Sequence, residues 1–586
     1  MMPRMTGHRP WFASYPSDVP ASLEPYPEVS LFSLVESAAG RFPDRPAIAW
    51  FGAHLSYARL LEEVERCSAM LARLGVRQGD RVALIVPNSP PYVIAFYACQ
   101  RLGAIVVGNN PLYTKREMEH QLRDAEPRLV LVADLLYADF ADVFADAGIG
   151  TVVVTRLNDY MPPIKRLLAP LAVFRKQQKA AGKPWPPVPK DAPVLRWHRE
   201  LKVAAPMPPV ATVRPKEDPA VLIYTGGTTG VAKGAMLSHW NLQCNARQCA
   251  AWFPEILDGH DALLAALPFF HSYGLMAMNL TMLIAGKLIP VPNPRDIHLL
   301  LELIQKEGPS LFPGVPRLYI AINEDPRTPS FDLKSIKACV SGAAPLPVAV
   351  ANDFERVTGG GQVVEGFGLT ECSPVTHANP FNGVRKPGHI GLPIPDTDAR
   401  IMSLEDPDLE MPPGEPGELC IRGPQVMLGY WRRPEESALS IRNGWLHTGD
   451  VATIDEQGYF RIVDRLKDMI LVSGFNVYPN EVEDVLYMHP KISKAAVIGV
   501  PDDRTGEAVK AFVVLKEGES LTADELIAWT RDPAQGLTGY RVPKQVEFRD
   551  ALPETMVGKV LRRILIGEER HKHATAEAGS TPASSS

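Results

Sequence analysis

Residues Tyr224 to Gly234 read YTGGTTGVAKG. Before them, Ala220 to Thr225 (AVLIYT) has the composition of a short buried strand. After them, Ser238 to Ala250 reads as a helix with Ser238 as its N-cap. The segment itself holds four glycines, three threonines and one lysine. That composition suits an anion. Glycines let backbone N–H groups turn toward a ligand, hydroxyls add donors, and the lysine adds positive charge. A nucleotide triphosphate is the anion expected. The spacing departs from the usual P-loop, which ends in consecutive Gly, Lys and Ser/Thr. Here Val231 and Ala232 separate Gly230 from Lys233, and Gly234 follows. A glycine-rich turn without a ligand is the competing reading, and it leaves many donors at one strand end with only water as partner.

Working outward, helix and strand alternate. Ser30 to Phe42 and Tyr57 to Leu74 have helical periodicity, Ala47 to Trp50 and Arg81 to Val86 read as strands, and Tyr92 to Leu102 is a further helix. The strand Ala104 to Val107, the helix Glu117 to Ala125 and the strand Leu129 to Ala133 continue the series. This is the pattern of an α/β sheet with crossover connections. Beyond the loop, strand-like runs at Ala262–Leu267, Lys287–Pro290, Ser310–Pro313, Ala338–Ser341 and Gln362–Glu365 follow, and several end in small and polar residues. Ligands of open α/β sheets bind beyond the carboxyl ends of strands, so these ends are candidates to line one site. From Gly383 to about Arg465 short alternating runs with Gly and Pro read as β-rich. A smaller α/β unit follows, with strand-like Met469–Ser473, Ala495–Val500 and Ala511–Leu515 and helices near Asn480–Met488 and Ala523–Thr530. The Ala-, Ser- and Thr-rich stretch 571–586 reads as a disordered tail.

With 586 residues, 46% of them hydrophobic, the chain can bury a large core and divides by length into about three or four domain-sized units. Net charge is −6, and no basic stripe interleaved with aromatics is present, so nucleic acid is not an expected partner. The seven cysteines are widely spaced with no CxxC, which fits a reducing, cytoplasmic setting. The N-terminus lacks the apolar stretch of a signal peptide, and no apolar run reaches membrane-spanning length. One segment breaks the rhythm. Ile164 to Lys183 carries Lys165, Arg166, Arg175, Lys176, Lys179 and Lys183 without an acid, with leucines, Val173 and Phe174 among them. Such a segment can rest on the anionic inner face of a membrane, or it is a solvated insertion; Pro170 interrupts a continuous helix.

Four further constellations carry candidate chemistry. In GFGLTECSP (Gly366–Pro374), Phe367 offers an aromatic face and Thr370 a hydroxyl, and Glu371 is a candidate ligand for the Mg²⁺ that accompanies a triphosphate. In WLHTGD (Trp445–Asp450), the terminal carboxylate could accept from both ribose hydroxyls, although Asp after Gly is also ordinary turn chemistry. Val463–Glu483 carries Arg465 and Lys467 at a domain border, and Leu552–Arg563 places Lys559 behind a glycine.

These segments, with LPFFHSYG around His271, occur in one chain in one order. The chain resembles the adenylate-forming superfamily of acyl-CoA synthetases, luciferases and peptide-synthetase adenylation domains, and within it bacterial long-chain fatty-acid–CoA ligases, from about Ser30 to Arg563. The resemblance implies an α/β fold: a large N-terminal domain of α/β subdomains plus a β-rich subdomain (residues 1–466), hinged to a small mobile C-terminal α/β domain (467–570) ahead of the tail. It implies that Thr225, Gly226, Gly227, Thr228, Thr229 and Lys233 hold the ATP phosphates. Gly342, Ala343, Ala344, Gly366, Phe367 and Gly368 would line an adenine slot, with Phe367 in the place of a frequent Tyr. Thr370 would contact the α-phosphate and Glu371 the Mg²⁺, with Asp450 and Arg465 on the ribose. His271 would gate the acyl pocket, Lys467 would be the hinge, Lys559 the catalytic lysine and Gly474 a neighbour of the CoA thiol tunnel.

The implied reaction joins a fatty acid to ATP, giving acyl-AMP and pyrophosphate, and then passes the acyl group to CoA. Aryl or medium-chain acids, a carrier protein as acceptor, and a nucleotide-binding scaffold without catalysis are the alternatives. A homodimer and peripheral membrane contact are open as assembly states. The small residues Ser272, Gly274, Gly314 and Ala343 are expected to leave room for a long chain.

Overall fold

A computed structural model describes residues 9–168, 188–225, 232–253, 256, 258–406, 408–502, 504–532, 537, 539–554 and 560–579. Met1–Ala399 with Ile421–Leu446 form one unit, and Arg400–Cys420 with His447–Ser586 form a second. The expected border at Lys467 thus falls inside the second unit.

In the first unit, the strands Arg81–Ile85, Ile105–Gly108, Leu129–Ala133 and Val152–Thr155 are almost wholly apolar and buried. They pair in parallel, as strands covered on both faces do. Pro219–Thr225 joins them in parallel beside Ile105–Gly108. The eight-stranded order runs Gly429–Tyr430, Lys233–Ser238, Pro219–Thr225, Ile105–Gly108, Arg81–Ile85, Leu129–Ala133, Val152–Thr155, Leu195–Arg196. Lys233–Ser238, not read as a strand from the sequence, returns antiparallel to Pro219–Thr225, and the expected helix follows it as His239–Trp252. Its start is as expected: Ser238 Oγ accepts from Asn241 N, and Asn241 Oδ1 accepts from Ser238 N, a reciprocal cap.

Two smaller sheets in this unit hold the other strand ends. Ala338–Ser341 and Gln362–Gly368 pair in parallel, with Val340 opposite Val364 and Ser341 opposite Glu365. The run Ser310–Pro313, expected as a strand, contributes single bridges only: Leu311 links Leu263 to Ala338.

The second unit has a sheet ordered Phe475–Val477, Ile470–Val472, Gly506–Leu515, Ile492–Asp502, with Gln545–Phe548 parallel to Gly506–Leu515. Val482 and Leu486 of the helix Pro479–Tyr487 pack into its core with Ile470, Val497 and Val509. The stretch from His571, expected to be disordered, begins inside a helix, Arg562–Gly579. Alanine is the strongest helix former. The helix is also tied down, by buried Leu565 and by ion pairs of Lys510 with Glu569 and Lys572 with Glu547.

His239 and His377 are buried in the first unit. His239 Nδ1 accepts from Leu31 N at 3.2 Å, an acceptor role open to the neutral ring. Burial lowers the two pKa values from 6.5 to about 4 and about 3. The folded-state values lie below that of the unfolded chain. The stability these rings carry is therefore complete above about 6.5 and drains as pH falls toward 4 and 3. Going from about pH 7 to 5 should cost roughly 2 kcal/mol per ring. His377→Gln should remove about that much of the pH dependence, read from urea midpoints at both pH values; an unchanged slope would contradict a neutral buried ring.

Candidate active site

The first unit brings four of the expected segments together. Thr225 and Lys233 close the glycine-rich loop from either side, directly opposite each other in the antiparallel register. Gly226, Gly227, Thr228 and Thr229 lie outside the described residues. Lys233 Nζ stands 5.5 Å from the centroid of the Tyr430 ring and 4.0 Å from Glu436 Oε1. Tyr430 Oη donates to Glu371 Oε1 at 2.8 Å. One aromatic ring therefore joins the loop lysine to the candidate metal ligand. Burial and the Glu371 charge push the Tyr430 phenol up, so it stays a donor at neutral pH.

Thr370 is buried, and its Oγ1 lies 3.3 Å from Ser272 Oγ. This ties GFGLTE to PFFHSYG. His271 is the N-cap of the helix Ser272–Leu283, its Nδ1 accepting from Tyr273 N at 3.3 Å. The ring opens to solvent, but the protein around its other sides desolvates it and lowers its pKa. A neutral ring whose Nδ1 accepts carries its proton on Nε2, which leaves a donor for an acidic ligand.

Gly342 and Gly366 follow side by side at the carboxyl ends of the parallel pair. Ala343 adopts φ +67°, a left-handed conformation that costs a non-glycine residue about 1–2 kcal/mol. A Cβ on Gly368 would come within 2.2 Å of Pro374 O, so no side chain fits there. Phe367 is half-buried, its ring meeting His377 edge-on at 6.2 Å. Beside it, burial pushes the Glu365 carboxyl up to about 7, between its two forms at neutral pH.

Below the His271–Ser272 end, an apolar cavity runs along the same helix. Tyr273, Met276, Ala277 and Leu280 line one side, and Cys249, Trp252 and Phe253 another. Its volume in this conformation is about 30 Å³. None of Ser272, Gly274, Gly314 and Ala343 lines it. Their smallness serves packing instead: a Cβ on Gly274 would strike Pro268 O at 2.1 Å, and one on Gly314 would reach the Tyr319 hydroxyl at 2.8 Å. The spacing of 273, 276, 277 and 280 is one face of a helix, and that periodicity was the signal available in the sequence. Nothing local marked Trp252, Phe253 or Tyr430.

The second unit carries the remaining candidates. Asp450 and Arg465 are paired across the antiparallel strands Trp445–Ile454 and Phe460–Arg465, with Arg465 Nε 3.1 Å from Asp450 Oδ1. Lys467 is exposed; partial desolvation lowers its pKa, opposed by Asp468. Gly474, at φ +84°, forms an exposed turn with Ser473 at φ +52°. Lys559 lies outside the described residues.

A family model described as AMP-binding enzyme matches residues 35–431, and one described as AMP-binding enzyme C-terminal domain matches 481–559. The chain belongs to the AMP-binding enzyme family. It is 44% identical to a long-chain-fatty-acid–CoA ligase of Bacillus subtilis (strain 168), covering 97% of this chain and 100% of that one. It is 38% identical to a feruloyl-CoA synthase of an Amycolatopsis species, covering 90% and 96%. Among solved structures it resembles ATP-bound MatB from Rhodopseudomonas palustris, with a TM-score of 0.78, 30% identity and coverage of 92% and 99%.

If Phe367 forms one wall of the base slot, Phe367→Ala should weaken a non-hydrolysable ATP analogue by about 1–3 kcal/mol. Phe367→Tyr should change it less than about twofold, since the ring face is kept. Calorimetric titration reads both; unchanged affinity for the alanine variant would remove Phe367 from the slot.

Proposed function

We propose that the protein is an AMP-forming ligase that activates a long-chain fatty acid with ATP and transfers it to CoA. The observation that carries this reading is the helix Ser272–Leu283. Its N-terminal end presents His271 and Ser272 beside Thr370, and its next turns line an apolar cavity. A helix N-terminus favours an anion, and an apolar cavity favours a hydrocarbon. A fatty acid has both parts, in that order. A cavity of about 30 Å³ admits little more than a water. A chain therefore enters by displacing side chains, and the flexible Met276 is suited to that.

The feruloyl-CoA relative favours an aryl acid as the second reading. The apolar lining beneath His271 supports the alkyl acid, because an aryl acid with ring hydroxyls would need polar partners there.

A carboxylate is a poor acyl donor, and its attack on the α-phosphorus of ATP places two anions together. Thr225 and Lys233, with the loop between them, would hold the phosphates that leave. Thr370 would hold the α-phosphate, and neutral His271 would donate from Nε2 to the carboxylate. Such fixed donors work by positioning and by stabilising developing charge. Glu371 fits a Mg²⁺ site: a hard carboxylate is held in place by Tyr430 beside the phosphate-binding lysine, and Mg²⁺ takes few protein ligands. Bound there, the ion would supply charge neutralisation to the phosphates. Asp450 and Arg465 would take the ribose hydroxyls. Lys559 would act in adenylation, and Gly474 would leave space for the thiol, with Lys467 as the hinge between the two half-reactions.

Contact with an anionic membrane surface belongs to this reading as well. In the described part of the basic segment, Ile164, Leu167 and Leu168 are exposed beside Lys165 and Arg166. No helix among the described residues is long and apolar enough to cross a membrane.

Incubated with ATP, Mg²⁺, a long-chain acid and CoA, the protein should form an acyl thioester detectable by mass spectrometry, with AMP release dependent on CoA. AMP release that is equal with and without CoA, and no thioester, would overturn the assignment.

A further inference from the structure

One part-buried carboxylate in the second unit has no part in the reaction just described. Glu418 lies on the strand Gly417–Arg422, and its two oxygens make two different bonds to the HTGD stretch of the neighbouring strand, Trp445–Ile454. Oε2 is 2.7 Å from His447 Nδ1, and Oε1 accepts from Gly449 N at 3.1 Å. The same strand holds the residue between: Thr448 Oγ1 donates to Leu419 O at 2.7 Å and then accepts from Asp450 N at 3.0 Å. Cys420 Sγ completes the row at 3.4 Å from His447 Nδ1.

Three successive residues of one strand are thus fastened by side chains to three successive residues of its neighbour, immediately before Asp450. The strand is irregular at this point. Gly449 sits at φ +70°, a conformation that glycine enters and leaves freely. Arg465 contacts Asp450 Oδ1 from the opposite strand, but its own side chain is 40% exposed. Glu418 and His447 are far less exposed, at 16% and 7%, so their bonds are screened less by water.

Glu418, Cys420 and His447 also bring three metal-ligating atoms within 4.8 Å of one another. Their geometry is that of a hydrogen-bonded clamp. An N···O separation of 2.7 Å is a direct bond; a zinc ion between the two, at about 2.0–2.1 Å from each, would hold them farther apart.

We propose that Glu418 is a positioning residue for ribose recognition: its carboxylate spans His447 to Gly449 on the neighbouring strand and fixes the direction in which Asp450 points. This rests on the reading of Asp450 as the ribose ligand. A glutamine at 418 could keep part of the clamp, accepting from Gly449 N and donating to His447 Nδ1 in its other tautomer. An alanine keeps none.

The test compares ATP with 2′,3′-dideoxy-ATP, which lacks the hydroxyls. Glu418→Ala should raise KM for ATP about tenfold or more, in line with loss of a charged hydrogen bond, and raise KM for the dideoxy nucleotide less than about twofold. Glu418→Gln should fall between wild type and Glu418→Ala for ATP, and it carries the same comparison should the alanine variant not fold. Asp450→Ala is the reference and should discriminate the two nucleotides at least as strongly. If Asp450→Ala discriminates but both Glu418 variants shift the two nucleotides by equal factors, the positioning role is overturned and the ribose reading survives. If Asp450→Ala does not discriminate either, the ribose reading falls and the proposal falls with it.

Discussion

A fatty carboxylate poses two opposed solvation demands, and the helix Ser272–Leu283 meets both. Its first residues must offer donors to an anion, and its later residues must offer none to a hydrocarbon chain. The 3.3 Å contact between Ser272 and Thr370 fixes the polar end against the segment that carries Glu371. From there Tyr430 continues the link to Lys233 by a hydrogen bond on one side and its ring face on the other. The donors in this chain come from segments far apart in sequence, and their arrangement depends on sheets whose strand ends emerge together. Loss of the Ser272–Thr370 contact would untie the segment that carries His271 from the one that carries Glu371.

Much of this was legible from composition and spacing, because the signals were local. The parallel strands read as short apolar runs, and Ser238 read as a cap. The loop read as a phosphate site whose departure from the usual P-loop spacing pointed to a different nucleotide family. What was not legible depended on tertiary pairing. Lys233–Ser238 (KGAMLS) carries no strong strand pattern, and its pairing with Pro219–Thr225 makes it a strand. Small residues near His271 suggested space, yet Gly274 and Gly314 are small because neighbouring atoms press on them. The cavity instead takes its width from Ala277 and its walls from Trp252 and Phe253, which end a different helix. An alternating stretch such as GELCIRG gives no hint that its glutamate meets a strand about thirty residues later. Residues 571–579 of the expected tail were misjudged because Ala-rich sequence reads as low complexity, whereas they continue the helix Arg562–Gly579, which is docked by Leu565 and Lys510–Glu569; residues 580–586 lie outside the described residues.

The proposed roles divide between the two units. The first holds the apolar cavity and the proposed phosphate and base contacts. The second holds the Asp450–Arg465 pair, on two paired antiparallel strands. Within the first unit, selectivity for acids follows from area. Each methylene taken out of water contributes about 0.8 kcal/mol, roughly fourfold in affinity, so a cavity that opens along the helix favours longer chains until its far wall is met.

If this cavity receives the acyl chain, filling it should shorten the chains that the protein accepts. Ala277 lines it midway along the helix. Thioester formation measured across a series of acids of increasing length should show Ala277→Trp retaining activity with short chains and losing it with long ones, while KM for ATP stays unchanged. An unaltered chain-length profile in that variant would contradict the account.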